Sequence, residues 1–102
     1  MVDSSTIWNF HLIYRLSQLP AQFDAAVREK VRALEGVTRV DGAPSQDAAT
    51  HLAFSTPKTN AVVAAGAAKQ CLHKALDDHN AKGRWWQRKV RLMDAPRVRQ
   101  VV

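Results

Sequence analysis

The chain has 102 residues, of which 46% are hydrophobic and 24% charged, and its formal net charge is +6. That length suits one domain, and the apolar share supplies a core, which excludes a wholly disordered chain. The charge is concentrated: residues 82–102 carry seven basic side chains (Lys82, Arg84, Arg88, Lys89, Arg91, Arg97 and Arg99) against Asp94 alone, whereas residues 1–81 balance eight basic with eight acidic groups.

Residues 6–16, TIWNFHLIYRL, alternate with a period of two. Trp8, Phe10, Leu12, Tyr14 and Leu16 share one side, and Ile7, Asn9, His11, Ile13 and Arg15 the other, which predicts a strand with one buried face. Pro20 suits the first turn of a helix, and Phe23, Val27, Val31 and Leu34 then fall on one helical stripe. Gly36 suits a left-handed C-cap, ending that helix near Glu35. A short strand is predicted over 37–41 and a loop over GAPSQDAA, 42–49. THLAFS, 50–55, alternates again, with Leu52 and Phe54 on one side and His51, Ala53 and Ser55 on the other. Thr59 or Asn60 is placed to N-cap a helix running from about Ala61 to His79, with Val63, Ala67, Leu72, Ala75 and Leu76 facing the core. RWWQRKVRLM, 84–93, reads as the last strand: Trp86, Val90 and Leu92 on one side, Trp85, Gln87, Lys89, Arg91 and Met93 on the other. Pro96 stops it, leaving 97–102 as a flexible basic tail after a single domain over 1–96.

The predicted order is β-α-β-β-α-β, an α+β domain with a four-stranded antiparallel sheet and two helices on one face. The phrase Leu34-Glu35-Gly36-Val37-Thr38-Arg39-Val40 resembles the helix–Gly–Val–strand junction of ferredoxin-like domains. That resemblance implies a ferredoxin-like sheet whose first and third strands are central, with the second face open. Fold of this kind carries no function by itself.

Composition narrows the chemistry. Cys71 is the single cysteine, so an internal disulfide is excluded, and a free thiol suits a reducing, cytoplasmic setting. No stretch approaches the length of a membrane span, and the N-terminus does not read as a signal peptide. There is no Gly-rich phosphate loop. Cys71 and His73 diverge on their helix, and His11 and His51 can approach across neighbouring strands without a third ligand, so neither a metal nor another cofactor is expected. Cys71 reads as a small core residue.

The open side remains. Basic side chains next to a Trp suit phosphate contacts and base stacking. This points to Arg84, Trp85, Arg88, Lys89 and Arg91 as a surface for nucleic acid or an acidic protein. RNA-recognition domains use the same face but place stacking aromatics on the central strands. Here those positions are His11, Ala53 and Ser55, so the chain departs from that family. Ile7, His11, Ile13, His51, Trp85 and Met93 are the candidate open-face or homodimer contacts. Two further readings stand beside a binding module. One is a dimeric α+β barrel that holds a small ligand or substrate near Asn9, His11, His51 and Trp85, with a His as general base. The other is a purely structural homodimer.

Overall fold

The computed structural model describes residues 6–18, 20, 22–46, 49–83 and 89–101. It is an α+β fold with a four-stranded antiparallel sheet and two helices. In chain order the elements are strand β1 (Ile7–Tyr14), helix α1 (Phe23–Arg32), strands β2 (Arg39–Gln46) and β3 (Ala49–Pro57), a 3-10 turn (Lys58–Asn60), helix α2 (Ala61–Lys82) and strand β4 (Arg97–Val101). From edge to edge the strands run β2-β3-β1-β4.

β1 is paired on both edges. It meets β3 over its whole length, Ile7 opposite Pro57 through Tyr14 opposite Thr50. It meets β4 from Asn9 opposite Val101 to Ile13 opposite Arg97. Because alternate strand residues leave opposite faces, Phe10, Leu12 and Tyr14 point with Leu52 and Phe54 into one core cluster with the buried stripes of both helices. Leu12, Val27, Val31 and Leu72 are fully buried there. The Phe10 and Phe54 rings stack with centroids 5.5 Å apart.

α1 buries Phe23, Val27 and Val31 at spacings of four, as the stripe predicts. It begins at Phe23 rather than at Pro20, because Gln22 adopts φ 66° and breaks the helical backbone before it. It ends at Arg32, and the chain turns on to Gly36, which takes φ 85°. The buried Thr56 hydroxyl donates to the Gly36 carbonyl at 3.1 Å, fastening this turn onto β3. β2 is longer than expected. It continues past residue 41 because Gly42, Ala43 and Gln46 find partners on β3, with a register shift between Ala43 and Gln46.

α2 buries Ala61, Ala64, Ala68, Cys71, Leu72, Ala75 and Leu76. Val63, expected in the core, is 74% exposed. Alanines and valines fill the first turns of α2, so no apolar stripe singles out a face, and it is the small side chains at 61, 64 and 68 that are buried in the core cluster. Asn60 occupies the N-cap position without a side-chain capping bond.

The last strand is the main correction. The expected strand over 84–93 is replaced by β4 at Arg97–Val101, within the segment expected as a tail. Residues 84–88 lie outside the described residues. The expected parity still holds where the chain resumes: Val90 is buried, Leu92 packs against the core, and Lys89, Arg91 and Met93 are exposed. Leu92 forms an isolated antiparallel bridge with Leu16. The Ser17 amide donates to the Arg91 carbonyl and the Met93 amide to the Arg15 carbonyl, both at 2.8 Å. The chain therefore runs beside residues 15–17, just past the end of β1, at 91–93, and beside β1 itself at 97–101, with Asp94-Ala95-Pro96 between.

Asn80 holds the entry to this path. Its side-chain amide donates to the Val90 carbonyl and its oxygen accepts from the Val90 amide, both at 2.9 Å, so a side chain replaces a strand neighbour. Asn80→Ala leaves both partly buried backbone groups unmatched. We expect it to lower unfolding free energy by about 1–3 kcal/mol, read as a reduced denaturant midpoint. An unchanged midpoint would mean that Val90 is held by its own burial alone.

Candidate functional site

The sheet face opposite the helices is built from the odd-numbered positions. Cross-strand register places Asp41, Ala53, His11 and Arg99 in one row and His51, Ile13 and Arg97 in the next. Two histidines and two arginines thus surround Ile13. The His11 and His51 rings meet edge to face with centroids 5.7 Å apart. One row further, the Ser55 hydroxyl donates to the Asn9 side-chain oxygen at 2.6 Å, which ties β3 to β1 across the same face.

Charge is sorted across this face. On the β2 side, Arg39 contacts Asp41 at 2.5 Å. At the end of β1, Arg15 contacts Asp94 at 3.5 Å. Both pairs are exposed and add little stability, but each neutralises its own corner. Arg97 and Arg99 have no ion-pair partner among the described residues, nor do Lys89 and Arg91. Lys89 and Arg91 line a groove of about 390 Å³ with Ser17 and Gln18. Unneutralised positive charge therefore runs along the β4 border of the sheet, from Arg99 to the groove beside Ser17.

His11 feels this crowding. Burial first, then His51, then the Arg99 guanidinium lower its pKa below the ordinary imidazole value. Cys71 is buried in α2, and its burial raises the thiol pKa, the behaviour of a core residue rather than a nucleophile. Among the described residues no three His, Cys, Asp or Glu side chains converge as a metal site. Nor is any described helix long and apolar enough to cross a membrane.

The expected site residues divide into three groups. Lys89 and Arg91 are exposed on the basic border, and His11 and His51 come together at its centre. Arg84, Trp85 and Arg88 lie outside the described residues. Among the expected apolar contacts, Ile7 is 43% and Met93 62% exposed, but Ile13 is only 9% exposed and so offers little contact surface. Ile7 starts β1 whereas Met93 bonds to Arg15, eight residues on, a separation of about 27 Å at strand rise. Charged and polar side chains occupy the rows between them. The groove over the face has a volume of about 190 Å³ and is lined by Asn9, His11, Arg39, Asp41, Ser55 and Val101 among others, without His51. It is smaller than typical small-molecule pockets of roughly 300–1,000 Å³.

Arg97 and Arg99, expected in a flexible basic tail and not among the expected site residues, stand on this face as part of β4. Their signal was the alternation in Arg97-Val98-Arg99-Gln100-Val101, where Val98 alone packs against the core.

The chain matches no protein-family model and no curated protein sequence.

The electrostatics give a direct test. His11 should titrate below about 6.5 in the folded protein, followed by NMR of its ring protons. Arg99→Gln removes one of the charges opposing protonation and should move the midpoint upward. The unfolded chain takes up this proton more readily than the folded one. The His11 contribution to stability is therefore full above about pH 6.5 and is lost as pH falls toward the lowered folded value. His11→Asn should flatten that part of the stability profile. A His11 midpoint at or above the ordinary value would contradict the crowding seen in the structure.

Proposed function

We propose that this chain is a ferredoxin-like, non-enzymatic binding domain that holds a single nucleic-acid strand along the β4 side of its open sheet face. The fold assignment rests on the strand–helix–strand–strand–helix–strand order and on the edge-to-edge order β2-β3-β1-β4. The functional reading rests on one observation: among the described residues the cations of β4 have no ion-pair partner, while Asp94 and Asp41 are engaged by Arg15 and Arg39.

Arg97 and Arg99 leave the same side of β4, about 6.7 Å apart at strand rise. That repeat suits successive phosphates of an extended strand, and Lys89 and Arg91 prolong it past the end of β4. His11 and His51 present partly exposed imidazole rings one row inward, where an unstacked base can rest. A single strand is favoured over a duplex because the cations lie on a sheet surface, and among the described residues no helix or arm projects from it to enter a groove. Trp85, Arg84 and Arg88, which lie outside the described residues, belong to the same proposal on their residue types and sequence position alone.

An acidic protein segment is the competing occupant, and the test separates the two. Fluorescence anisotropy with a labelled single-stranded oligonucleotide, at about 50 and 200 mM salt, should give an affinity that falls with salt with a slope of about −0.7 per phosphate neutralised. Arg97→Ala with Arg99→Ala should weaken binding and reduce that slope by roughly 1.4, two contacts at about 0.7 each. Tighter binding to poly-glutamate than to the oligonucleotide would transfer the face to an acidic protein. Absence of binding to either at low salt would overturn the reading.

A further inference from the structure

We propose that His11 and His51, together with Arg97 and Arg99, form a proton-coupled seat for one phosphate group, so that binding at the open face tightens as pH falls through the histidine range. This deepens the reading above by assigning it a regulation, and it rests on that reading only for the source of the phosphate.

The geometry carries the argument. His11 and Arg99 are directly opposed on β1 and β4, and His51 and Arg97 flank Ile13 from β3 and β4 in the adjacent row. The two imidazoles are already in edge-to-face contact, 5.7 Å between centroids. Four groups that carry or can acquire positive charge thus converge from three strands on a patch with a buried apolar floor, Ile13. In the free protein a proton added to His11 meets the charge of its neighbours. An anion placed among the four removes that opposition, so phosphate and proton bind with mutual favour, and by linkage each promotes the other equally.

Among the described residues, the surroundings of His11 do not supply a free competing anion. On β1, His11 is flanked on its own face by Asn9 and Ile13. On β3 it faces Ala53, with His51 and Ser55 on the diagonals, and Ser55 is engaged with Asn9. On β4 it faces Arg99, with Arg97 and Val101 on the diagonals. In the cross-strand rows of the seat the carboxylate is Asp41 on β2, two strands from His11 and on the diagonal from His51, and it is held by Arg39. Burial and two of these neighbours oppose protonation of His11 in the empty state, so an incoming phosphate has an unfilled proton to recruit.

The test has two arms. In the first, the His11 ring is followed by NMR with inorganic phosphate added. Phosphate should raise its titration midpoint, and chloride at equal ionic strength should not. In the second, an oligonucleotide without terminal phosphates is titrated at about pH 5.5 and 7.5, a range in which its phosphodiesters keep a constant charge while histidine titrates. Binding should be roughly five- to tenfold tighter at the lower pH, a coupling at the low end of the usual range. His11→Asn and His51→Asn should each reduce that ratio, whereas His73→Asn, on the exposed side of α2, should keep it and so controls for net charge.

A phosphate-induced shift with no oligonucleotide affinity would keep the seat and sink the nucleic-acid strand as its occupant. Oligonucleotide binding with the same affinity at both pH values, and a His11 midpoint unmoved by phosphate, would overturn the seat and leave the binding face standing. Because two separate histidine variants are used, a folding defect in one leaves the other to decide.

Discussion

β1 pairs with neighbours on both edges, and this fixes which side chains reach the core and which reach the open face. From Ile7 to Tyr14 the β1–β3 register has no break, so the two faces are assigned together. Phe10 stacks on Phe54 under the helices, while one position along His11 meets His51 on the other side. A slip of one residue would reverse both assignments at once, placing imidazoles against α2 and aromatic rings in water. Burial of an unpaired imidazole costs more than a misplaced apolar contact loses. The core therefore guards the arrangement of the face, and the polar character of the face in turn penalises the wrong register.

That coupling explains what was legible in the sequence. β1 and β3 are central strands with one buried side, so their alternation is strong, and the sides of Leu12, Phe54, His11 and His51 could be read directly. α1 carries one clean stripe and was legible too, apart from its first turn, where the left-handed Gln22 gives no compositional warning. The failures share a cause, weak contrast between faces. α2 opens with a run of alanines and valines, so Val63 looked like core, although Ala61, Ala64 and Ala68 make the close approach. β4 is an edge strand with Val98 as its one core-packed side chain, and its charged alternation looked like a tail. The RWWQRKVRLM segment has the richer strand composition, yet edge pairing is decided by where a free backbone lies. The unpaired edge of β1 accepts whichever part of the C-terminal chain Asn80 and Leu92 deliver to it.

This shift changes the meaning of the basic C-terminus. A tail carrying Arg97 and Arg99 would spread its charge over many positions, and solvent would screen it within about 8–10 Å. Fixed in β4, the same guanidinium groups stand at strand spacing beside the His pair. The Arg15–Asp94 and Arg39–Asp41 contacts contribute little to stability. Their larger effect is to remove positive charge from the outer corners, so the remaining field is concentrated over one border of the sheet.

Such a concentration works against the fold that carries it. Arg97 and Arg99 stand at neighbouring positions of like charge, and the His11 pKa is lowered by burial first, then by His51 and then by Arg99. A surface shaped by stability alone would place a carboxylate within reach of Arg97 or Arg99, as Asp94 is of Arg15 and Asp41 of Arg39. Acidic side chains are not scarce in this chain, and Asp41 stands in the same cross-strand row as His11 and Arg99 but is directed to Arg39. The molecule thus tolerates a like-charged cluster where a single substitution would relieve it. That is the pattern expected where the missing negative charge is to be supplied by a partner.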